Sequence, residues 1–150
     1  MLKNRKASRL ASVGAAYTLV MIENLPPQQA WELLQHDPEA VLIDVRTSME
    51  RQFVGYPPGS IHVPWKEMPD WQVNTSFIAH VQQAAPHCDA PVLLLCRSGQ
   101  RSLDAAKALE AVGYRLLVNI VDGFEGPLDD NNQRGKLGGW RFQQLPWQQS

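Results

Sequence analysis

The run Pro91-Val-Leu-Leu-Leu-Cys-Arg-Ser-Gly-Gln-Arg-Ser102 constrains this chain more than any other. Pro91 to Leu95 is the most apolar stretch, and it is short and ends in a polar turn, as a fully buried strand does. Beyond the turn, Ala105, Ala108, Leu109 and Val112 recur at i, i+3, i+4 and i+7, one face of a helix. Gly113 suits the position just past that helix. The order is therefore strand, tight turn, helix, with Cys96 at the end of the strand. A strand apolar on both faces must be covered on both faces, which calls for a layered α/β architecture.

The rest of the chain repeats the alternation. Tyr17 to Ile22 reads as a first short strand, and Pro26-Pro27 opens a helix whose apolar face is Ala30, Trp31, Leu33 and Leu34 and which Pro38 ends. Val41 to Val45 is a buried strand. Ser48 to Phe53 is a short helix capped by Thr47 or Ser48. Gly55, Pro57, Pro58 and Gly59 force a loop, and Ser60 to Val63 forms a third strand that Pro64 stops. Asn74 or Thr75 caps a helix with Phe77, Ile78, Val81, Ala84 and Ala85 on one face. Leu116 to Val121 is a fifth strand. The expectation is one α/β domain with a five-stranded, mostly parallel sheet and helices on both faces. Residues 1–20 are expected to be a disordered leader, or to lie ahead of a true start at Met21, and 21–150 to be the domain. Its tail, about 122–150, holds a polar Gly-rich stretch, Pro127 to Gly139, read as a mobile loop. The following segment carries Trp140, Phe142, Leu145 and Trp147, too apolar for a free end, so it is expected to pack back on the domain.

Charge narrows the partners. Lys3, Arg5, Lys6 and Arg9 make a basic start, while the fifteen acids, all from Glu23 onward, face ten bases, a net of −5 for that body. An acidic body argues against nucleic acid, and no apolar run is long enough to span a membrane. The basic start before SVGAAYTLVMI faintly suggests an export signal, but Gly14, Tyr17 and Thr18 interrupt its apolar part. The preferred expectation is a cytoplasmic protein, with periplasmic export the lesser alternative. Cys88 precedes the strand that Cys96 ends. About seven residues at ~3.3 Å each separate them, beyond disulfide reach, so both are expected to be free thiols in a reducing compartment.

Cys96 is the candidate nucleophile. Ligands of open α/β sheets bind beyond the carboxyl ends of the strands, and amides of a tight turn opening a helix form an anion cradle. Gly99 supplies a backbone conformation that other residues resist. A helix N-terminus flanked by Arg97 and Arg101 favours the thiolate. This makes a nucleophile without a neighbouring general base. A lone cysteine at a strand end is more often a small buried hydrophobe. Cys, Gly, two Arg and two Ser within seven residues outweigh that reading.

On these residues the chain resembles a single-domain rhodanese, a sulfurtransferase. The resemblance runs from about Ile22 to Gln148 through LIDVRTSMERQFVGYPPGSIHVPW, VLLLCRSGQRS and NIVDGFEG, and GWRFQQLPW resembles a bacterial subgroup with an extended tail. Tyr56 stands where many relatives have His, in a loop without chemical duty. The resemblance implies a rhodanese-like three-layer sandwich. It implies that Cys96 takes a sulfane sulfur from thiosulfate or a similar donor, holds it as a persulfide and passes it to a thiol, to cyanide or to a protein acceptor. Arg97 and Arg101 would bind the anionic donor. Amides from Arg97 through Ser98, Gly99, Gln100 and Arg101 to Ser102 would cradle the sulfur, with the Ser98 and Ser102 hydroxyls adding hydrogen bonds. No metal or organic cofactor is implied. A persulfide carrier or protein-interaction module with little turnover is the alternative. Cysteine-dependent phosphatases and arsenate reductases of related fold are less fitting, because they use Cys-x5-Arg, and Arg101 follows Cys96 one residue too early.

The remaining polar residues read as structural. Asp44 and Arg46 tie the second strand to neighbouring loops, and Glu50 pairs with an arginine. His62, His80 and His87 lack ligand spacing with a cysteine or carboxylate. Trp140 and Trp147 are packing residues, with Trp140 or Arg141 at the site mouth as a secondary expectation.

Overall fold

The computed structural model describes residues 22–150. The expected leader and Tyr17 to Met21 lie outside the described residues. The elements run β1 (Glu23–Leu25), α1 (Pro27–His36), β2 (Val41–Asp44), α2 (Ser48–Val54), β3 (Ile61–His62), β4 (Lys66–Glu67), β5 (Gln72–Val73), α3 (Phe77–Ala84), β6 (Val92–Leu95), α4 (Gln100–Ala111) and β7 (Leu117–Ile120). Five strands form one sheet in the order β1-β7-β6-β2-β3. Every pairing in it is parallel.

β6 shows why the sheet sits inside. Val92, Leu94 and Cys96 face the layer of α3 and α4, where Ile43, Phe77, Val81, Ala105 and Leu109 join them. Leu93 and Leu95 face the opposite layer, with Leu33 of α1, Phe124, Trp140 and Leu145. All four strand residues of β6 are wholly buried, which is why the sequence shows a continuous apolar run instead of an alternation. The architecture is the expected three-layer α/β sandwich.

One local expectation, the cap of α3, needs correction, and the structure adds short strands to the expected set. The first strand among the described residues is Glu23–Leu25, with Ile22 just before it; its Leu25 enters the core, opposite Ile120 of β7. Neither Asn74 nor Thr75 is the residue preceding α3; Ser76 is, with no side-chain cap. The Asn74 carboxamide instead accepts from the Ser76 amide at 3.0 Å and donates to the Pro64 carbonyl at 3.0 Å. The helix after Cys96 starts at Gln100. Between β3 and α3 the chain forms an antiparallel hairpin, Lys66–Glu67 against Gln72–Val73, whose two-residue strands are too short to leave a periodic signal. The capping of α2 follows the sequence: the Thr47 hydroxyl accepts from Glu50 N–H while the Glu50 carboxylate accepts from Thr47 N–H.

The tail closes the α1 face. Trp140 is wholly buried, meets Trp31 edge to face at 5.8 Å and donates its indole N–H to the Pro146 carbonyl at 2.8 Å. This is a core residue, so the expectation of Trp140 at the site mouth is corrected. Tyr56 and Gln148 exchange two backbone hydrogen bonds of 2.9 Å. The Trp147 ring lies so close to Gly55 that a Cβ there would stand 2.6 Å from it. Residues 127–139 form an irregular loop with a turn at 130–131. Asp129 Oδ1 accepts from the amides of Asn131 and Gln133, and Arg134 donates to the Gly126 carbonyl. Among the described residues no helix is long and apolar enough to cross a membrane.

One buried ion pair ties β2 to the loops that follow it. Arg46 grips Asp44 with Nε at 2.9 Å and Nη2 at 2.8 Å, and Nη2 also donates to the Gly55 carbonyl at 2.6 Å. Arg51 of α2 adds a bond to Asp44 at 3.1 Å, and the Arg46 guanidinium stacks 4.4 Å from the Phe124 ring centre. Both partners of the pair are shut off from solvent. Removing one side leaves a buried charge short of partners, which costs about 3–5 kcal/mol. Arg46→Met should therefore lower the urea-unfolding free energy by about that much, and Asp44→Asn added to it should recover part of the loss.

Candidate active site

The end of β6 delivers Cys96 to the edge of the sheet, and the next three residues curl around its sulfur. The Gly99 N–H donates to Sγ at 3.0 Å, and the Ser102 hydroxyl lies 3.2 Å away. The turn requires a positive φ of 117° at Gly99, a region open to glycine. The sulfur therefore sits at the amino end of α4, where the helix dipole favours negative charge.

A second segment holds this loop in shape. The Cys96 carbonyl accepts from Phe124 N–H at 2.8 Å, and the Arg97 carbonyl accepts from Glu125 N–H at 3.0 Å and Gly126 N–H at 3.3 Å. With the carbonyls turned down onto residues 124–126, the Gly99 amide is left to face the sulfur. The close approach demands Gly123, where a Cβ would collide with the carbonyl groups of Cys96 and Arg97. Trp140 N–H in turn donates to the Gly123 carbonyl at 2.8 Å, so the tail supports the brace from below.

The structure separates the residues that the sequence grouped. Gly99 and Ser102 reach the sulfur directly. Gln100 turns its side chain along the helix to Asp104 at 3.1 Å, leaving only its backbone for the cradle. Ser98 is half-buried and Arg97 exposed, and no acidic group among the described residues pairs with Arg97. Arg101 is bound end-on by Glu50, with Nη1 to Oε1 at 2.8 Å and Nη2 to Oε2 at 2.9 Å. A guanidinium has five N–H groups, so three of Arg101's remain. The Trp71 ring covers the Arg101 guanidinium at 5.0 Å. Trp71 itself adopts a left-handed φ of 56°, unusual for a bulky residue. The hairpin that carries it is moored to α2 by Glu67, which accepts from the Ser48 hydroxyl at 2.7 Å. Arg141 lies over Phe124 and Trp147, each at 5.5 Å. The two cysteines are free, Cys88 ahead of β6 and Cys96 after it. Among the described residues no group of His, Cys, Asp and Glu is placed to hold a metal ion.

Asn119, Gly123 and Trp71 were not singled out from the sequence. Asn119 did leave a signal, a lone polar residue inside the strand run Leu116 to Val121. It is buried, takes the Ser102 hydroxyl proton on Oδ1 and donates to the Gly99 carbonyl.

Burial by itself would push the Glu50 carboxyl up. The hydrogen bonds and charge of Arg101, with those of the Thr47 amide and hydroxyl, outweigh it and bring the group from 4.5 down to about 2. For Arg101, burial acts to lower its value, and the Glu50 carboxylate more than reverses that, with Cys96 and Asp44 adding to the rise. A depressed carboxylate stabilises the fold above its unfolded value and loses that contribution as pH falls through the folded one. The window for Glu50 is thus pH 4.5 down to 2, and the contribution is on the order of 3 kcal/mol. Urea-unfolding free energies measured across that window should fall less steeply for Glu50→Gln than for the native chain. Equal slopes would contradict the pairing.

Comparison with known proteins agrees with this geometry. Residues 26–127 match the model of the family described as the Rhodanese-like domain. An uncharacterized protein, RC0915, of Rickettsia conorii is 37% identical over 131 residues, covering 85% of this chain and 98% of its own. The thiosulfate sulfurtransferase GlpE of Haemophilus influenzae is 30% identical over 104 residues, 69% of this chain and 86% of its own. The crystal structure of Rv0390 from M. tuberculosis superposes with a TM-score of 0.77 at 40% identity, covering 85% of this chain and 98% of the other. A strand-end cysteine in a braced amide loop, on a five-stranded parallel sheet matched over most of its length, places this chain in the rhodanese-like domain family.

Proposed function

We propose that the protein is a sulfurtransferase that moves a sulfane sulfur from thiosulfate or a similar anionic donor to a thiol or cyanide, through a persulfide on Cys96. The observation that carries this reading is the Gly99 N–H aimed at Cys96 Sγ from the start of α4. A charge-assisted hydrogen bond of this kind favours anionic sulfur, both in the attacking thiolate and in the persulfide that follows.

In the first half-reaction the Cys96 thiolate attacks the outer sulfur of the donor. A new S–S bond forms, the donor's own S–S bond breaks, and its electron pair departs with sulfite. In the second, the acceptor's lone pair attacks the outer sulfur of the persulfide, and Cys96 leaves as thiolate. Every sulfur and electron pair is supplied by donor, acceptor and Cys96. Arg97, exposed and without an acidic partner among the described residues, is suited to draw the donor's anion. The three unclaimed N–H groups of Arg101 can meet the sulfite end. Cys96 is only 1% exposed, so the donor must be narrow at the end that presents its sulfur, as thiosulfate is.

The step of five from Cys96 to Arg101 speaks against phosphoryl chemistry. The test is stopped-flow detection of sulfite after mixing with thiosulfate, followed by turnover with cyanide and with thiols. The native protein should release one equivalent of sulfite per chain and then turn over with an acceptor. Cys96→Ser should lose the activity by at least about a thousandfold, and p-nitrophenyl phosphate should not be hydrolysed. Sulfite release that survives Cys96→Ser, or Cys96-dependent hydrolysis of the aryl phosphate, would overturn the assignment. Arg97→Ala should raise the KM for thiosulfate about tenfold with a smaller change in kcat, the pattern of lost anion capture.

A further inference from the structure

A buried hydrogen-bond network behind the loop has a proton count that assigns a role to Asn119. The side chain sits on β7, 3% exposed. Its Nδ2 faces the Gly99 carbonyl at 3.2 Å and Asn24 Oδ1 at 3.0 Å. A carbonyl can only accept, so the amide nitrogen must be the atom facing it. That leaves Oδ1 toward Ser102, whose Oγ is 2.5 Å away.

Ser102 has one hydroxyl proton and three neighbours: Asn119 Oδ1 at 2.5 Å, the Gly99 carbonyl at 3.2 Å and Cys96 Sγ at 3.2 Å. Oδ1 accepts only, so a contact this short requires the proton between the two oxygens. Ser102 then presents a lone pair to the sulfur. It can accept from a Cys96 thiol but has nothing to give a thiolate. The same Asn119 carboxamide anchors the Gly99 peptide, whose N–H is the donor that does reach Sγ.

We propose that Asn119 is a positioning residue of the sulfur site: it withholds the Ser102 proton from Cys96 and fixes the Gly99 peptide, so that negative sulfur is held by a backbone amide and not by a hydroxyl. The proposal rests on Cys96 being the reacting sulfur, as set out above. It narrows the cradle to a rigid donor that charge on the sulfur need not reorient.

The test needs no sulfur donor. Rate constants for iodoacetamide alkylation of Cys96, resolved from Cys88 by peptide mass mapping, are measured for the native chain, Ser102→Ala, Asn119→Val and the double variant at a pH where the rate still rises with pH, so that the thiolate fraction limits it. With Asn119 in place, the Ser102 hydroxyl gives the thiolate no bond. In Asn119→Val the acceptor oxygen is gone, and the proton is free to turn to the sulfur. The factor by which Ser102→Ala slows alkylation should therefore be about tenfold larger in the Asn119→Val background than in the native one, the size of one hydrogen bond to a charged group. Asn119→Asp keeps the acceptor oxygen and should bring that factor back to the native one. Equal factors in the native and Asn119→Val backgrounds would overturn the proposal, as would a factor in the Asn119→Asp background as large as in the Asn119→Val one. A loosened loop alone shifts both members of each pair together and leaves the ratio unchanged. Should Asn119→Val fail to fold, the native and Asn119→Asp pairs with Asn119→Ala as the acceptor-free variant give the same comparison. Sulfur transfer is not read here, so failure of this proposal and failure of the sulfurtransferase assignment give separate results.

Discussion

The carbonyl oxygens of Cys96 and Arg97 are both bound by amides of residues 124–126, and the rest of the site follows from that. A short loop has as many carbonyls as amides. It can present one set to a ligand only if something else takes the other. The 123–126 turn takes the carbonyls, which leaves the Gly99 N–H to point at Sγ. Gly123 is the residue that allows the approach, since any Cβ there would strike the carbonyls it supports. The extended tail then has a physical purpose. Trp140 is bonded to Gly123 through the backbone and buried against Trp31, so the brace rests on the α1 core layer.

Two ion pairs divide the work around this loop. Asp44–Arg46 is fully buried, bonded in addition to Gly55 and Arg51, and ties the carboxyl end of β2 to α2 and the loop after it. Glu50–Arg101 is partly exposed and connects α2 to α4 across the site. Glu50 leaves Arg101 with three N–H groups and a fixed plane, under the Trp71 ring. Arg101 is thus a wall with some donors to spare, whereas Arg97 is the exposed charge.

Much of this was legible in the sequence wherever the signal was local. The buried strand, the turn at Gly99, α4 and the Thr47 capping box each lie within a dozen consecutive residues, and their chemistry is set by near neighbours. The tail's apolar residues announced burial but not where they go, because the contact of Trp140 with Gly123 is set by packing. Glu50 was read as the partner of some arginine, yet the choice of Arg101, 51 residues away, belongs to the fold. The β4–β5 hairpin was missed because two-residue strands have no period. Asn119 was visible as a polar residue in a buried strand, and its meaning came only when Ser102 and Gly99 were found beside it.

The central claim is that Cys96 carries the transferred sulfur as a covalent persulfide. Intact-mass and peptide spectra after mixing with thiosulfate test it most directly. The account predicts an adduct of about 32 Da, one sulfur atom, confined to the peptide that contains Cys96, absent from Cys96→Ser and removed by cyanide. A protein that stays unmodified with every sulfane donor tried, or that gains its sulfur on Cys88, would contradict it.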